Sequence, residues 1–321
     1  MKKILAIAAM AALITSCSSK TEDARVNAAE EVPQINAQGY RLVWNDEFDT
    51  DGVPDSTKWD FEHGFVRNTE PQWYQPENAH VSDGVLIIEA HTDSIPNPYY
   101  DAASTNWRLN RPAAHYSSSC VITDGKMHWL YGSLEVRARI PVSENAWPAI
   151  WTLGTVNNWA IDGEIDILEF YEYRRVPSIY ANACWAGKTP SGSEWNTMHM
   201  PLRHFTERDA AWADSFHVWR MDWTPEYMLI YLDDELLNEF DLATTYNGDY
   251  DTKGDGNPFH RPQYLLLNLA LKDYAYRPIA PEMLPLKYEI DYVRLYQPEA
   301  NDSIPAQLYL NTVPPEAGAS E

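Results

Sequence analysis

The sequence has little positive charge. Its 321 residues include 24 Lys and Arg against 47 Asp and Glu, which gives a formal net charge of −23. A nucleic acid is a polyanion, and binding it requires a basic surface that displaces its counterions. The composition therefore argues against a nucleic-acid partner.

Cysteine is also scarce, with only Cys17, Cys120 and Cys184 in the chain. They form no CxxC pair and show no Cys/His spacing typical of zinc sites, and their number excludes a disulfide framework. One disulfide or two buried thiols would account for Cys120 and Cys184. Buried thiols are favoured, because a domain of this length can be stabilised by its core.

Phenylalanine is rare beside the other aromatic residues, since 8 Phe accompany 13 Trp and 20 Tyr. Trp and Tyr join a flat apolar ring to a polar group, so they suit a wet surface that holds a flat, hydroxylated ligand. A β-rich protein with aromatic residues in its strands is the simpler alternative. An aromatic content of 13% also argues against disorder across the whole chain.

No long stretch shows helical periodicity, and the apolar pattern predicts strands instead. Residues 133–140 alternate polar and apolar side chains, as in a strand with one buried face. The preceding run at residues 120–123 is separated from it by Asp124-Gly125, which predicts a hairpin turn. Further strand candidates are residues 85–90, 216–223, 226–232, 264–271 and 288–296. Many short strands predict an all-β, two-sheet β-sandwich or jelly roll with a concave substrate cleft.

Both ends of the chain differ from this body. Lys2 and Lys3 before a short apolar run predict a signal peptide at residues 1–16. The small residues before Cys17 resemble a bacterial lipobox, which predicts a lipid on Cys17 and anchoring to the bacterial envelope, in the outer membrane, facing the periplasm or the cell surface. An ordinary secreted protein is the alternative. Residues 17–38 are then an acidic tether, residues 39–298 one folded domain and residues 299–321 a flexible tail; the protein is predicted to be a monomer.

One strand candidate, residues 163–170, carries three acidic side chains. A regular strand would place Glu164 and Asp166 on one face and Glu169 on the other, where burying a lone carboxylate is costly. A one-residue bulge near Ile167-Leu168 would return Glu169 to the face of the other two. The sequence therefore predicts a bulged strand with three carboxylates in one row.

Neighbouring carboxylates raise each other's pKa, so one can stay protonated near neutrality while another is ionised. Retaining glycoside hydrolases use such a pair, with the two carboxyl groups about 5 to 5.5 Å apart. The alternatives are an acidic surface strand and a calcium site, although calcium usually collects its ligands from loops.

The motif Glu164-Ile-Asp166-Ile-Leu-Glu169 resembles the ExDxxE motif of glycoside hydrolase family 16, in its bulged, laminarinase-like branch. Further blocks that resemble this family are LVWNDEF at 42–48, YGSLEVRA at 131–138, AWPAIW at 146–151, NPFH at 257–260 and YEIDYVR at 288–294. The resemblance implies a β-jelly-roll that cleaves within β-linked polysaccharides, with retention of configuration and no cofactor for catalysis. It assigns Glu164 as the nucleophile, Asp166 as its electrostatic partner and Glu169 as the general acid/base.

Many members of that family hold a structural calcium ion away from the catalytic residues. Glu47 and Asp291 lie in the matching blocks, and a backbone carbonyl near Gly84 is a candidate third ligand. Ordinary surface acids near the chain ends are the alternative.

Aromatic side chains can stack on the C–H face of a pyranose ring, and several are candidates for a sugar platform. They are Trp73, Tyr74, Trp107, Trp129, Trp147, Trp185 and Trp195. Of Trp147 and Trp151, one is expected to line the cleft and the other to pack beneath it. Arg67, Asn68, Glu70 and His115 are candidates for orienting hydroxyl groups; His115 is more readily explained as an ordinary core or surface histidine.

Two segments depart from the usual laminarinase pattern. Residues 181–186 replace a Gly-Thr-Val-His strand, and residues 65–74 replace a Trp-Gly-Asn-Asn-Glu-type loop. Both are similar to the branch found among gut bacteria that cleaves β-1,4-galactosyl bonds within mucin O-glycans and poly-N-acetyllactosamine, which is the favoured substrate. Laminarin or mixed-linkage glucan is second, and agar-type galactan third.

A surface glycan-binding lipoprotein is the non-enzymatic alternative. It predicts loss of a catalytic Glu, whereas Glu164 and Glu169 are both present.

Overall fold

The computed structural model describes residues 32–156, 158–301 and 303–311. The predicted signal peptide, Cys17 and residues 312–321 lie outside the described residues, as does most of the predicted tether. From Gln34 onward the described residues belong to one structural unit. Among the described residues, no helix combines the length and apolar character needed to cross a bilayer.

Strands dominate the described part of the chain. They are β1 (Arg41–Asp46), β2 (Asp60–Phe61), β3 (Gln72–Tyr74), β4 (Ala79–Ser82), β5 (Val85–Pro96), β6 (Ala113–Ser118), β7 (Cys120–Ile122), β8 (Met127–Leu130), β9 (Gly132–Arg139), β10 (Ala146–Gly154), β11 (Glu164–Tyr173), β12 (Val176–Trp185), β13 (Glu194–Pro201), β14 (His217–Trp223), β15 (Tyr227–Leu232), β16 (Glu235–Asp241), β17 (Gln263–Leu271), β18 (Leu286–Gln297) and β19 (Gln307–Leu310). The helical segments are α1 (Arg203–Thr206) and the 3₁₀ turns Pro76–Asn78, Trp212–Asp214, Leu242–Thr244, Pro258–His260 and Pro281–Met283.

These strands form two sheets. One has ten strands in the order β16-β15-β14-β9-β18-β5-β6-β3, with β1 paired to β18 and β4 to β5. The other has nine strands in the order β13-β12-β11-β10-β17-β7-β2, with β8 paired to β17 and β19 to β8. The predicted all-β, two-sheet jelly roll is confirmed.

Apolar side chains from both sheets pack into one core. Leu295 and Trp219 come from the ten-stranded sheet, and Phe170, Ile179 and Leu267 from the nine-stranded sheet, and all five belong to one buried cluster. Burial of such a side chain contributes about 1.5 to 3 kcal/mol. The alternation predicted at residues 133–140 is explained by this packing, because the apolar positions of β9 face the core.

The turn predicted at Asp124-Gly125 is present, but it does not join the two strands that were predicted. Gly125 takes a φ of +70°, which suits a tight turn, but the turn leads from β7 into β8. Both β7 and β8 pair with β17, whereas β9 lies in the other sheet between β14 and β18. Local turn residues specify a reversal of the chain, and the partner strand is decided by distant residues.

The predicted boundaries of the domain need correction at both ends. Leu42 N–H donates to Gln34 O at 2.9 Å, and Ile35 pairs with Arg41, so part of the predicted tether is folded against β1. At the other end, β19 lies within the predicted flexible tail and pairs with β8. These pairings satisfy backbone groups that a tether or tail would leave to water.

The two cysteines within the described residues are free thiols. Cys120 lies in β7 and Cys184 in β12, and both are buried. The prediction of buried thiols is confirmed for both.

Candidate active site

A cleft of about 910 Å³ lies on one face of the nine-stranded sheet. Its floor comes from alternate residues of adjacent strands, because side chains two apart on a strand share a face. On β10 these are Trp147, Ala149, Trp151 and Leu153. On β17 and just beyond it they are Asn268, Ala270 and Lys272.

The predicted bulge is present in β11. The pairing with β12 shifts between Asp166 and Glu169, and the pairing with β10 skips Ile167. Glu164, Asp166 and Glu169 consequently all line the cleft. The intervening Ile165, Ile167 and Leu168 are fully buried in the core. The bulge thus keeps the acidic side chains out of the core, where burying a carboxylate would be costly.

Each glutamate accepts a hydrogen bond from a tryptophan. Trp159 Nε1 donates to Glu164 Oε2 at 2.7 Å, and Trp147 Nε1 donates to Glu169 Oε1 at 2.8 Å. Two separate indole donors therefore orient the two glutamates.

Asp166 and Glu169 share a single amide donor. Asn182 Nδ2 on β12 lies 3.0 Å from Asp166 Oδ2 and 3.1 Å from Glu169 Oε2. Because both oxygens contact the same nitrogen, they lie within about 6 Å of each other. Asp166 and Glu169 are thus linked through the amide of Asn182.

The electrostatics of the group favour retained protons. Burial raises the pKa of Glu164 to about 7, with a further rise from Glu169 and a lowering by the indole of Trp159. Burial also raises the pKa of Glu169 to about 7, against hydrogen bonds from Trp147 and Asn182 and the charge of Lys272. The pKa of Asp166 lies well above its ordinary value because of burial and the two neighbouring glutamates. A carboxylic acid and a carboxylate can therefore coexist here near neutral pH.

Asp166 is the group best suited to keep its proton. It is 2% exposed, and its hydrogen bond to Glu164 lowers the pKa of Glu164. A protonated Asp166 that donates to Glu164 keeps Glu164 ionised, which is what a nucleophile needs. Because Glu164 and Glu169 have similar pKa values, these values do not separate a nucleophile from an acid/base, and the roles implied by the motif stay predictions.

Four of the predicted polar and aromatic contacts border the cleft beside Trp147. Arg67, Glu70 and Asn68 line it from the segment before β3, and Trp195 lines it from β13 with 45% of its surface exposed. Their contact with substrate stays a prediction.

Trp151 also lines the cleft, so the expectation that only one of Trp147 and Trp151 would do so is corrected. Its Nε1 donates to Asn268 Oδ1 at 2.6 Å, and the guanidinium carbon of Arg67 lies 4.8 Å from its ring centroid. The Arg67 guanidinium also pairs with Glu62. Arg67 is thus fixed over the floor of the cleft by an aromatic ring and a carboxylate.

Two tryptophans predicted to contact substrate belong to the core. Trp129 is fully buried and packs edge-on against Trp223, with ring centroids 6.3 Å apart. Trp185 is 7% exposed and packs against Phe259 at 6.4 Å. Both predictions are corrected, because the faces of β8 and β12 that carry these rings pack into the core.

Trp73, within residues 65–74, and Trp107, which packs on the same segment, are also corrected, because neither lies at the cleft floor. Trp73 meets Phe65 edge-on at 5.3 Å, and Trp107 packs against the same Phe65 at 6.1 Å. They stabilise the segment that carries Arg67 and Glu70, and neither lines the cleft.

Tyr74 and His115 are corrected as well. Tyr74 is fully buried, and its hydroxyl accepts a hydrogen bond from Asn268 Nδ2 at 3.1 Å, beneath the cleft residues. His115 is exposed on β6 of the ten-stranded sheet, so the simpler explanation of this histidine is the better one.

Several cleft residues escaped prediction from the sequence. Asn182 is one of two buried polar side chains in the otherwise apolar or aromatic inner part of β12, and that contrast could have indicated it. Trp159 gives no periodic signal, since it lies in the loop between β10 and β11. Tyr171 and Lys272 come together only through the pairing of β10 with β11 and β17.

The predicted calcium ligands are engaged by arginines. Glu47 accepts from Arg294 Nη2 at 2.8 Å and from its Nε at 3.0 Å, and Asp291 accepts from Arg137 Nη1 at 2.7 Å. Gly84 lies in the turn between β4 and β5. Within the described residues, no three His, Cys, Asp or Glu side chains are grouped as a metal site. Calcium binding by Glu47, Asp291 and a carbonyl near Gly84 stays a prediction.

Comparisons with known proteins agree with this geometry. The model of glycosyl hydrolases family 16 matches residues 73–270. A β-glucanase of Rhodothermus marinus is 33% identical, over 81% of this chain and 86% of the relative. A keratan-sulfate endo-1,4-β-galactosidase of Sphingobacterium multivorum is 25% identical, over 80% of this chain and 55% of the relative.

Similarity extends to solved structures. One comes from work on endo-acting O-glycanases that prominent members of the human gut microbiota express to initiate mucin breakdown. It is 31% identical, covers 85% of this chain and 99% of its own, and gives a TM-score of 0.72.

A jelly roll whose cleft carries a bulged row of three carboxylates is a glycoside hydrolase. The chain belongs to glycosyl hydrolases family 16 and is an endo-β-glycosidase. Catalysis in this family uses no cofactor.

Proposed function

We propose that this protein is a retaining endo-β-1,4-galactosidase that cleaves within mucin-type O-glycans and poly-N-acetyllactosamine chains. The observation that carries the proposal is the similarity to the solved structure from the O-glycanase work. Nearly the whole of that structure matches this chain, with a TM-score of 0.72. The similarity to a keratan-sulfate endo-1,4-β-galactosidase supports the same bond type.

The cleft suits a hydroxylated chain with both stacking and hydrogen-bonding surfaces. Trp147 and Trp195 offer aromatic surfaces for pyranose rings, while Arg67 and Asn68 add donors at one side. Polar groups held in fixed positions beside apolar rings give a sugar both affinity and orientation.

The reaction begins with attack on the anomeric carbon. Glu164 forms a bond to that carbon, and the bond to the glycosidic oxygen breaks as Glu169 donates its proton to this oxygen. The product of this step is a glycosyl ester on Glu164 and a shortened glycan that carries the new hydroxyl group.

Hydrolysis of the ester completes the cycle. Glu169, now a carboxylate, takes a proton from water, and the resulting oxygen attacks the anomeric carbon and releases Glu164. Two inversions at the same carbon give net retention. Asn182, which contacts both Asp166 and Glu169, holds the two acids in register through both steps.

The substrate is tested with the purified protein and four glycans: mucin O-glycans, desulfated keratan as a poly-N-acetyllactosamine, laminarin and mixed-linkage β-glucan. We expect new oligosaccharides with galactose at the reducing end from the first two. Products are identified by chromatography and mass spectrometry, with Glu164→Gln as the inactive control. Cleavage of laminarin or mixed-linkage glucan alone would reject the galactosidase proposal.

A β-1,3- or mixed-linkage glucanase is the second candidate function. It is supported by the β-glucanase that is 33% identical over most of both chains. The same experiment distinguishes it, because its products carry glucose at the reducing end.

We also propose that the enzyme is anchored to the bacterial envelope by a lipid on Cys17. The proposal is supported by the basic start, the short apolar run and the small residues before this cysteine. In a bacterial host, the full chain should incorporate labelled fatty acid and fractionate with membranes. Cys17→Ser should lose both properties while Cys120→Ser keeps them; incorporation by Cys17→Ser would contradict the anchor.

A further inference from the structure

Lys272 is a cation held in an aromatic corner of the cleft. Its Nζ lies 3.5 Å from the ring centroid of Trp147 and 4.2 Å from that of Tyr171. Its backbone is fixed on both sides by Asn145, since Lys272 N–H donates to Asn145 O at 2.9 Å and Lys272 O accepts from Asn145 Nδ2 at 2.6 Å. An ammonium group over an aromatic face is attracted by the ring quadrupole, and more strongly where water is displaced.

This corner is one hydrogen bond away from the general acid/base. The indole that receives the ammonium on its face donates its N–H to Glu169 Oε1 at 2.8 Å. Trp147 also meets Tyr171 edge-on at 5.6 Å, and Tyr171 stacks on Tyr180 at 4.1 Å. Trp147, Tyr171 and Tyr180 therefore form one aromatic group, and Lys272 contacts two of its rings.

We propose that Lys272 is a positioning residue for Glu169. Its ammonium holds the Trp147 ring so that the indole N–H points at Oε1, and its charge stabilises the carboxylate form of Glu169. The inference rests on Glu169 being the general acid/base and does not depend on which glycan is cleaved.

Lys272 acts within a mixed set of charges around Glu169. The titratable and charged groups that face Glu169 are Glu164, Asp166 and Tyr171 on β11, Tyr180 on β12, Lys272 after β17, and Arg67 and Glu70 before β3. Glu70 raises the pKa of Glu169, whereas the charge of Lys272 lowers it. The same two carboxylates favour the charged form of Lys272, although burial lowers its pKa overall. Lys272 is thus a cation whose charge acts on Glu169, as the charge of Arg67 acts on Glu164.

A balance of this kind matters because Glu169 works in both protonation states. It must be protonated when the glycosidic bond breaks and ionised when water attacks the ester. Without the cation, the protonated form would persist to higher pH and the ionised form would be a scarcer base.

The test compares Lys272→Met, which removes the charge but keeps an unbranched stem, with Lys272→Arg, which keeps the charge. The pH dependence of kcat/KM is measured on desulfated keratan, or on laminarin if only laminarin is cut. For Lys272→Met we expect the alkaline limb to move upward by about half a unit to one unit. For Lys272→Arg we expect the alkaline limb to stay near the wild-type position.

A matched control is Lys287→Met. It removes the same charge from the ten-stranded sheet, where Lys287 pairs with Glu89 at 3.0 Å.

A second measurement needs no substrate. Glutamate labelled with ¹³C at the side-chain carboxyl is followed by NMR across the pH range, and the Glu169 signal is assigned by its loss in Glu169→Gln. Its midpoint should rise in Lys272→Met and remain unchanged in Lys287→Met. If no glycan is cleaved, the proposed function fails while this titration still decides the role of Lys272.

The proposal is overturned if the alkaline limb and the Glu169 titration of Lys272→Met coincide with those of the wild-type protein. A fall in kcat without either shift would also overturn it, because it would leave Lys272 with a packing role alone.

Discussion

Replacing Glu164 with glutamine should reduce kcat by about four orders of magnitude or more, equivalent to about 5.5 kcal/mol of lost transition-state stabilisation. The substitution keeps the size of the side chain but replaces the attacking carboxylate with a neutral amide that cannot form the glycosyl ester. Substrate binding should change little, because the aromatic floor beside it is untouched. The measurements are kcat on the preferred glycan and the affinity for that glycan by calorimetry.

Glu282→Gln is the matched control, since Glu282 is exposed in a 3₁₀ turn away from the cleft. It should keep wild-type kcat. Cleavage by Glu164→Gln at a rate near that of the wild type would reject Glu164 as the nucleophile.

Azide can distinguish the nucleophile from the acid/base. In Glu164→Ala, azide has access to the face of the sugar that the carboxylate occupied, and one inversion gives an α-glycosyl azide from an aryl β-glycoside of the preferred substrate. A β-glycosyl azide from this variant would mean that the roles of Glu164 and Glu169 are exchanged.

Replacing Glu169 with glutamine should slow cleavage of natural glycans by about 10²- to 10⁴-fold, which is the range for loss of a positioned general acid. The reason is that the leaving sugar oxygen would depart as an alkoxide without a proton donor. An aryl glycoside with an acidic phenol needs no such proton, so its first step should stay fast. Stopped-flow measurement of phenol release should therefore show a burst, followed by slow turnover as the ester accumulates.

The outcome separates general acid catalysis from damage to the site. Equal losses on glycan and aryl glycoside would contradict the assigned role. With Glu169→Ala, azide should restore turnover and give a β-glycosyl azide, because it attacks the ester without needing a base. Asn182→Ala serves as a comparison: it removes the amide that contacts Asp166 and Glu169 but leaves both carboxyl groups, and should cost less than Glu169→Gln.

The row of Glu164, Asp166 and Glu169 could be predicted from the sequence, because the residues that decide its geometry are neighbours in the chain. In residues 163–170, the only arrangement that keeps Glu169 out of the core while Ile165, Ile167 and Leu168 remain buried is a bulge. The structure has that bulge between Asp166 and Glu169. Local chemistry was enough, since all the competing side chains lie within one strand.

The surroundings of the row could not be predicted in the same way. Residues 178–185 of β12 are all buried, and β17 is buried along its whole length, so the alternation that shows which face meets solvent is missing. This is why Trp185 was mistaken for a cleft residue and Asn182 was overlooked. The prediction that Trp129 contacts substrate was wrong for a similar reason, because β8 is buried at every position.

By itself, the sequence determined the fold class, the bulged strand and the three carboxylates, since periodicity and the cost of burying charge act between residues close in the chain. Only the tertiary structure decided which side chains surround those carboxylates. Trp147, Asn182 and Lys272 are brought to Glu169 by three different strand pairings, and Trp159 reaches Glu164 from a loop. Such contacts depend on the register of distant strands and on loop paths, which the packing of both sheets determines together.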